Sequence, residues 1–374
     1  MMTAMGTALW HNWRAHESGV DLVERMYFTV ASDATLVGKL QAGPLLVYHD
    51  EGLVDPRSNE CPIICTDIHW TPPDLVVSGD LAATDFTAYH GGDVADEVTA
   101  LLSLALRVRC KPGGRWWTHG IGSGGLDDPP FSMDHPQPTS PLHPRGREVL
   151  PRLTGRRDVS GAASLIAAFP TLTEKKSIAV MKAAQQYQLG MWVANEDPNL
   201  AWIRLVGALE VAANEVRTPR QPYVERARDL LPDFAKTLEG LNEEIAENIA
   251  KSIAPLIGST RKFLRFLELY CPPPPSPRPS KDDQVDWRTL DETYKLIYQY
   301  RSSALHGGRP FPQPMCEAPR QFDDGVPIER PSGLTSGAYN ASWSKADYPM
   351  LLATFEYIAQ GALVAWWSQL AVTS

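Results

Sequence analysis

The sequence has few cysteines and no long apolar run. Five cysteines in 374 residues are too few, and odd in number, for a disulfide framework: Cys61, Cys65, Cys110, Cys271 and Cys316. Such usage is typical of a reducing compartment. The longest apolar runs, residues 101–106 and 361–367, are far shorter than the roughly 20 residues that a membrane span needs. The first ten residues lack a signal-peptide pattern. We therefore expect a soluble, cytoplasmic protein with no membrane partner.

An excess of positive charge is also missing. The formal net charge is −9 and the pI is about 5.5, which argues against a surface that coats nucleic acid broadly. A small local site for one strand stays compatible with this charge. The hydrophobic fraction of 43% and the charged fraction of 21% are those of an ordinary globular protein. The length predicts two domains.

The composition changes near residue 160. Before it, Gly, Pro, Asp and aromatic residues separate short apolar runs such as Pro44–Tyr48, Pro62–Ile68 and Leu75–Val77, which predict strands between turns. Asp93–Arg109 has apolar residues at spacings of three and four, which predicts a helix. We predict a mixed, mostly β domain over residues 1–150, which senses or binds an unknown ligand. Residues 151–170 are the predicted linker.

After residue 170 the pattern is helical. Asp197 followed by Pro198 is a helix start signal. The predicted helices are Thr173–Asn195, Pro198–Glu215, Pro222–Leu231 with Phe234–Ile257 as one helix or two, Arg261–Tyr270, Trp287–Leu305 and Asp347–Leu370. A proline-rich spacer, residues 271–280, and a loop, residues 309–345, interrupt them. We therefore expect an α+β protein in which residues 171–374 form an all-α bundle.

Arg301 and His306 are the residues best suited to chemistry. On an ideal helix they point about 140° apart, but Gly307 and Gly308 are expected to end the helix at His306 and let the imidazole turn back toward the guanidinium. An imidazole can deprotonate a ribose 2′-hydroxyl or protonate a leaving 5′-oxygen, and a guanidinium stabilises the phosphate. This chemistry requires RNA, because DNA lacks the 2′-hydroxyl, and it needs no metal or cofactor.

The segment around this pair resembles HEPN domains, in particular the Apea-like group. The resemblance rests on Arg301-x4-His306, on Tyr300 before and Ser302 after the arginine, on His-Gly after the spacer, and on the helix Trp202–Glu210. It implies an all-α bundle, a homodimer whose composite site combines two such motifs, and endoribonuclease activity in phage defence or as a toxin.

The resemblance also implies roles for single residues. Arg301 binds and polarises the phosphate, and His306 is the general acid or base. Ser302 orients a phosphate or the histidine, Glu210 holds Arg301, and Tyr300 is a supporting residue. Gly308 stands where HEPN proteins paired with minimal nucleotidyltransferases carry a tyrosine. A partner of that kind is therefore not expected.

Two alternatives stay open. The first is a HEPN module without catalysis that binds nucleotides or proteins. The second is a different enzyme whose site lies in the N-terminal domain near His90, Trp117 and His119. Three cations, Arg261, Lys262 and Arg265, lie among aromatic residues and either help to hold RNA or form the solvated face of an amphipathic helix.

Two weaker motifs are not interpreted as sites. Cys61, Cys65 and His69, with Asp67 between them, lack the second ligand pair of a structural zinc site. The glycines Gly120-x-Gly122-x-x-Gly125 match a dinucleotide fingerprint, but the following Leu-Asp-Asp-Pro-Pro cannot begin the helix that this fingerprint needs. We therefore predict no metal, and a glycine loop beside Trp116 and Trp117.

Overall fold

The protein is mixed α+β, with helices dominant. The computed structural model describes residues 6–49, 60–69, 89, 91–120, 131–134, 148–150, 156–321, 325–333, 335–338 and 341–372. The chain forms two compact units, residues 1–204 with 364–374, and residues 205–363. The boundary expected at residues 151–170 thus lies within the first unit. The predicted strand at residues 75–77, His90 and the glycines after Gly120 lie outside the described residues.

The first unit contains an antiparallel sheet and the helices that cover it. Its strands are β1 Glu24–Ser32, β2 Thr35–Val37, β3 Lys39–Ala42, β4 Leu45–Tyr48, β5 Glu60–Ile68, β6 Cys110–Gly120, β7 Phe131–Asp134 and β8 Arg156–Asp158. Its helices are α1 Ala8–Glu17, α2 Val94–Leu106, α3 Ala163–Ala168 and α4 Glu174–Val193, with the start of α5 Pro198–Ala213 and the end of α10 Leu352–Val372. The predicted strands at β4 and β5 and the predicted helix at α2 are confirmed.

Six strands form one antiparallel sheet in the order β3-β4-β5-β1-β6-β7. In the centre, Phe28 of β1 lies opposite Ile64 of β5 and Trp116 of β6. Helix α2 packs against β6, and α4 packs against α2. The amide of Gln188 in α4 donates to the carbonyl of Cys110 at 2.7 Å. These contacts are why α4, which belongs to the helical part by composition, lies in the same unit as the sheet.

A buried ion pair closes the first unit. Arg109, at the start of β6, donates through Nη1 to Asp33 at 2.8 Å, and both side chains are 1% exposed. Its Nε donates to the carbonyl of Met191 at 2.8 Å, and its Nη2 to that of Leu150 at 3.0 Å. Every arm of this guanidinium is thus satisfied, as a buried charge requires.

The second unit is built mainly from helices. It contains the end of α5, α6 Tyr223–Leu230, α7 Pro232–Leu238, α8 Glu243–Tyr270, α9 Leu290–Gly307, the hairpin of β9 Thr335–Ala338 with β10 Ala341–Ser344, and the start of α10. The hairpin falls where the sequence predicted a loop. The two helices predicted over residues 234–270 are also wrong, because α7 ends at Leu238 and α8 then continues unbroken through Gly258. A glycine inside a helix costs only about 1 kcal/mol relative to alanine, and packing of the buried Ala250 and Phe263 on either side outweighs it.

Helix α6 is held on the N-terminal half of α8. The buried residues Ala227, Leu238, Ala246 and Ala250 form a small core between α6, α7 and α8. The carboxylate of Glu247 in α8 accepts the backbone N–H groups of Tyr223 at 2.6 Å and Val224 at 3.0 Å, and thereby satisfies two free donors at the start of α6. This contact fixes the distance between the two helices.

Within the described ranges, no helix is both long and apolar enough to cross a lipid bilayer.

We expect Arg109→Met to lower the free energy of unfolding of the first unit by about 3–5 kcal/mol, because the carboxylate of Asp33 keeps the backbone N–H of residue 109 but is left buried without its counter-charge. Arg14→Met is the matched control. Arg14 pairs with Glu17 at the surface, so its loss costs less than about 1 kcal/mol. Urea unfolding followed by circular dichroism measures both. Equal midpoints for the two variants would show that the buried pair does not hold the unit together.

Candidate functional site

Helix α9 carries the residues predicted to act on RNA. It continues through Gly307, and Gly308 ends it in the left-handed conformation at φ 61°, with its N–H donating to Ser303 O. The predicted end at His306 is therefore wrong by one residue, and the backbone does not turn back there. Arg301 and His306 stay on one continuous helix, about 140° apart around its axis and about 7.5 Å apart along it.

The side chain of Arg301 is fixed by the carboxylate of Glu210 in α5. Nη2 of Arg301 pairs with one oxygen of Glu210, and the hydroxyl of Tyr298 donates to the other at 2.6 Å. The guanidinium lies 5.8 Å from the centre of the Tyr298 ring. Burial, and then the hydrogen bond to Glu210, raises the pKa of Tyr298 to about 12. The contact of Glu210 with Arg301 is the one expected from the sequence.

Arg301 keeps donors for a ligand. Its side chain is 21% exposed, and its buried Nε has no hydrogen-bond partner among the residues that the structure describes. Close by, Lys262 in α8 donates to the side-chain oxygen of Asn214 at 3.1 Å, and Asn214 follows Glu210 by one helical turn. A fixed arginine and a lysine thus flank the end of α5.

His306 is exposed in the last turn of α9, next to the negative end of the helix dipole. Ser302 lies one turn earlier on the same face and is half-buried. Leu305 is 48% exposed and lies between the directions of Arg301 and His306 around the helix. The described end of α9 therefore presents an arginine and an imidazole about 140° apart, with an apolar residue between their directions.

Tyr300 contacts a different part of the unit. Its hydroxyl donates to the carbonyl of Asp347 at 2.9 Å, and its ring packs edge-on against Phe311, with the ring centres 6.0 Å apart. Burial, and then the charge of Asp347, raises the pKa of Tyr300 to about 12. Tyr300 thus anchors α9 to the segment before α10 and makes no hydrogen bond to Arg301.

The three cations of α8 do not share one site. Arg261 and Arg265 line a partly open cavity bordered by α6, α8 and α9, whereas Lys262 donates to Asn214. Three residues that the sequence analysis did not propose as site residues contribute to these two sites. Tyr298 and Asn214 lie near Arg301, and Arg226 lines the cavity. Of these, only Tyr298 could have been found from the sequence, because it lies one turn before Arg301.

The weaker motifs of the first unit form ordinary structural contacts. Asp67 pairs with Arg25, and His69 with His16 at 3.1 Å. Burial raises the pKa of the Cys65 thiol. In the described part of the chain, no three His, Cys, Asp or Glu side chains cluster as a metal site.

The aromatic residues near the glycine loop also have structural neighbours. Trp116 is buried against Phe28, with ring centres 5.6 Å apart. His119 lies against Tyr27, and its Nδ1 is buried without a hydrogen-bond partner among the described residues.

The chain matches no protein-family model, no curated protein and no solved structure. Its function is therefore inferred from its residues, their geometry and the resemblance of its motif.

A double-mutant cycle tests the Glu210 contact. We expect Glu210→Ala and Arg301→Ala to couple by about 1–3 kcal/mol in the free energy of unfolding, because the two charges are largely shielded from water. The exposed pair Asp233 and Lys236 is the control, and its coupling should stay within about 0.5 kcal/mol of zero. Equal coupling in both pairs would mean that Glu210 does not hold Arg301.

Proposed function

We propose that this chain is a metal-independent endoribonuclease of the HEPN type, and that Arg301 and His306 carry the reaction. The observation that supports it best is the fixed, partly exposed guanidinium of Arg301 on the same helix whose last turn presents an exposed imidazole. The resemblance of residues 298–308 to the HEPN motif supports the same assignment, including a helical bundle of that family. The cellular setting, phage defence or a toxin, rests on that resemblance alone.

The proposed reaction balances without a metal. His306 accepts the proton of a ribose 2′-hydroxyl, whose oxygen attacks the neighbouring phosphorus. The bond from phosphorus to the 5′-oxygen breaks, and the imidazolium returns the proton to that leaving oxygen. Arg301 stabilises the charge on the phosphate oxygens during the attack. The products are a 2′,3′-cyclic phosphate and a 5′-hydroxyl.

We propose a composite site between two copies of the chain. Arg301 and His306 of one helix point about 140° apart, so a single copy does not direct both at one phosphate. The exposed Leu305 between them gives a second copy an apolar contact. In a two-fold dimer each contact occurs twice, and Arg301 of one copy then meets His306 of the other.

A HEPN module that only binds is the second candidate. The pairing of Arg301 with Glu210 favours it over catalysis, because the carboxylate offsets part of the charge that would stabilise the transition state. The two candidates differ in whether single substitutions abolish cleavage.

We expect His306→Ala to lower the cleavage rate of single-stranded RNA by about 10²–10⁴-fold, the usual contribution of a general acid or base. Arg301→Ala should lower it through lost charge stabilisation. Gel analysis should show cyclic phosphate ends and unchanged cleavage in EDTA. Arg288→Ala, an exposed arginine of the same unit, is the control. Cleavage that survives His306→Ala, or that EDTA stops, contradicts the mechanism.

A mixing experiment tests the composite site. Arg301→Ala and His306→Ala should each cleave only weakly alone, but a heterodimer of the two has one site with both residues intact. An equal mixture, allowed to exchange subunits, should regain about a quarter of the parent activity if dimers form at random. The mixture remains inactive if each copy supplies both groups of its own site, and this result would leave the single-substitution experiment unaffected.

A further inference from the structure

A cavity of about 530 Å³ lies between α6, α8 and α9 in the second unit. Its volume is within the range of small-molecule sites, about 300–1,000 Å³. The lining contains four basic side chains, Arg226, Arg261, Arg265 and Lys295, and four acidic ones, Asp229, Glu268, Asp291 and Glu292. The cavity is therefore charged but balanced in sign.

Two of the guanidiniums are held by neutral groups. Nε of Arg226 donates to the carbonyl of Gln221 at 3.0 Å, and Nη2 of Arg261 donates to that of Pro219. Arg226 also stacks on Tyr223, 4.7 Å from the ring centre. Among the described residues, neither arginine has a carboxylate within ion-pair distance.

Arg226 and Arg261 line the same cavity, so two like charges share one space. Burial and the charge of Arg226 lower the pKa of Arg261, and Asp229 opposes the shift only in part. Like charges brought together cost free energy unless an anion lies between them. The arrangement thus fits a phosphate, which accepts forked hydrogen bonds from guanidinium groups.

The other charged residues of the cavity indicate which further groups the ligand carries. Arg265 pairs with Glu268 at 2.7 Å, and Lys295 with Glu292 at 2.8 Å. Nε of Arg265 is buried with no partner in the described part of the chain, so a donor remains. Asp229 and Asp291 are left to accept hydrogen bonds. A balanced lining disfavours a polyanion and fits a ligand with one phosphate and several hydroxyl or amino donors.

We infer that this cavity binds one ribonucleotide, with its phosphate on Arg226 and Arg261 and its sugar hydroxyl or base amino groups on Asp229 and Asp291. The same unit can be a free mononucleotide or the end of an RNA strand. The binding does not depend on the catalytic roles of Arg301 and His306. Lys295 and Arg301 are about 9 Å apart along α9, so the cavity is a separate site.

Calorimetric titration of the full chain tests the inference. Adenosine monophosphate should bind, and adenosine and inorganic phosphate should each bind at least about 10-fold more weakly, because each lacks half of the contacts. Arg226→Gln with Arg261→Gln should weaken binding of adenosine monophosphate by about 10–100-fold. Arg288→Gln should leave it unchanged. Adenosine that binds as tightly as the monophosphate, absence of binding by the monophosphate, or unchanged binding by the double variant overturns the inference.

Two further arms sharpen the result. Arg226→Lys with Arg261→Lys keeps the charges and should lose less affinity than the glutamine pair, which separates a binding defect from unfolding. A DNA oligonucleotide that ends in one 3′-ribonucleotide cannot be cleaved by 2′-hydroxyl attack. If it displaces adenosine monophosphate, the site accepts a strand end, and if it does not, the site is for the free nucleotide. Both experiments measure binding and not cleavage. A negative result would therefore not bear on the proposed nuclease activity.

Discussion

The carboxylate of Glu210 is the contact on which the second unit's candidate chemistry depends. It accepts a hydrogen bond from the hydroxyl of Tyr298 and pairs with the guanidinium of Arg301. It therefore joins α5 to α9 at one place. Without it, a long and flexible side chain would sample many rotamers, and ordering it on a ligand would cost conformational entropy. The same contact lowers the net positive charge that a phosphate meets. The pairing with Glu210 thus favours phosphate binding by fixing the orientation of Arg301, and disfavours it by offsetting the charge of Arg301.

The arginines of this protein lie in three kinds of environment. They differ in how far carboxylates and carbonyls satisfy the guanidinium, and therefore in whether it can bind a ligand. Arg109 is buried and fully compensated by Asp33 and two carbonyls, which leaves no donor for a ligand. Arg301 is compensated in part. Arg226 and Arg261 are held by carbonyls alone, so their charges persist. Because neither of these partly exposed guanidiniums has a carboxylate within ion-pair distance among the described residues, the last pair is where an anion gains the most.

The sequence predicted helices and strands correctly where local signals were strong. The predictions were wrong where packing determines where an element ends or which unit it belongs to. Asp197 accepts the N–H of Leu200 at 2.9 Å, as its place before Pro198 predicted. Helix α8 continues through residues 258–260, where the sequence predicted one helix to end and another to begin. Helix α4 belongs with the sheet because its buried side chains fit α2 and β6, which composition cannot show. The hairpin at residues 335–344 has little apolar alternation and therefore gave no strand signal.

The sequence alone determined the class α+β, the helix that carries the motif, and the candidate pair Arg301 and His306, because helical period and residue chemistry are local properties. The tertiary structure decided what each side chain meets. Glu210 lies 91 positions before Arg301 in the chain, and Arg226 and Arg261 line one cavity from two different helices. Such contacts depend on how helices pack, and packing is set by the fit of whole faces, which no short stretch of sequence encodes.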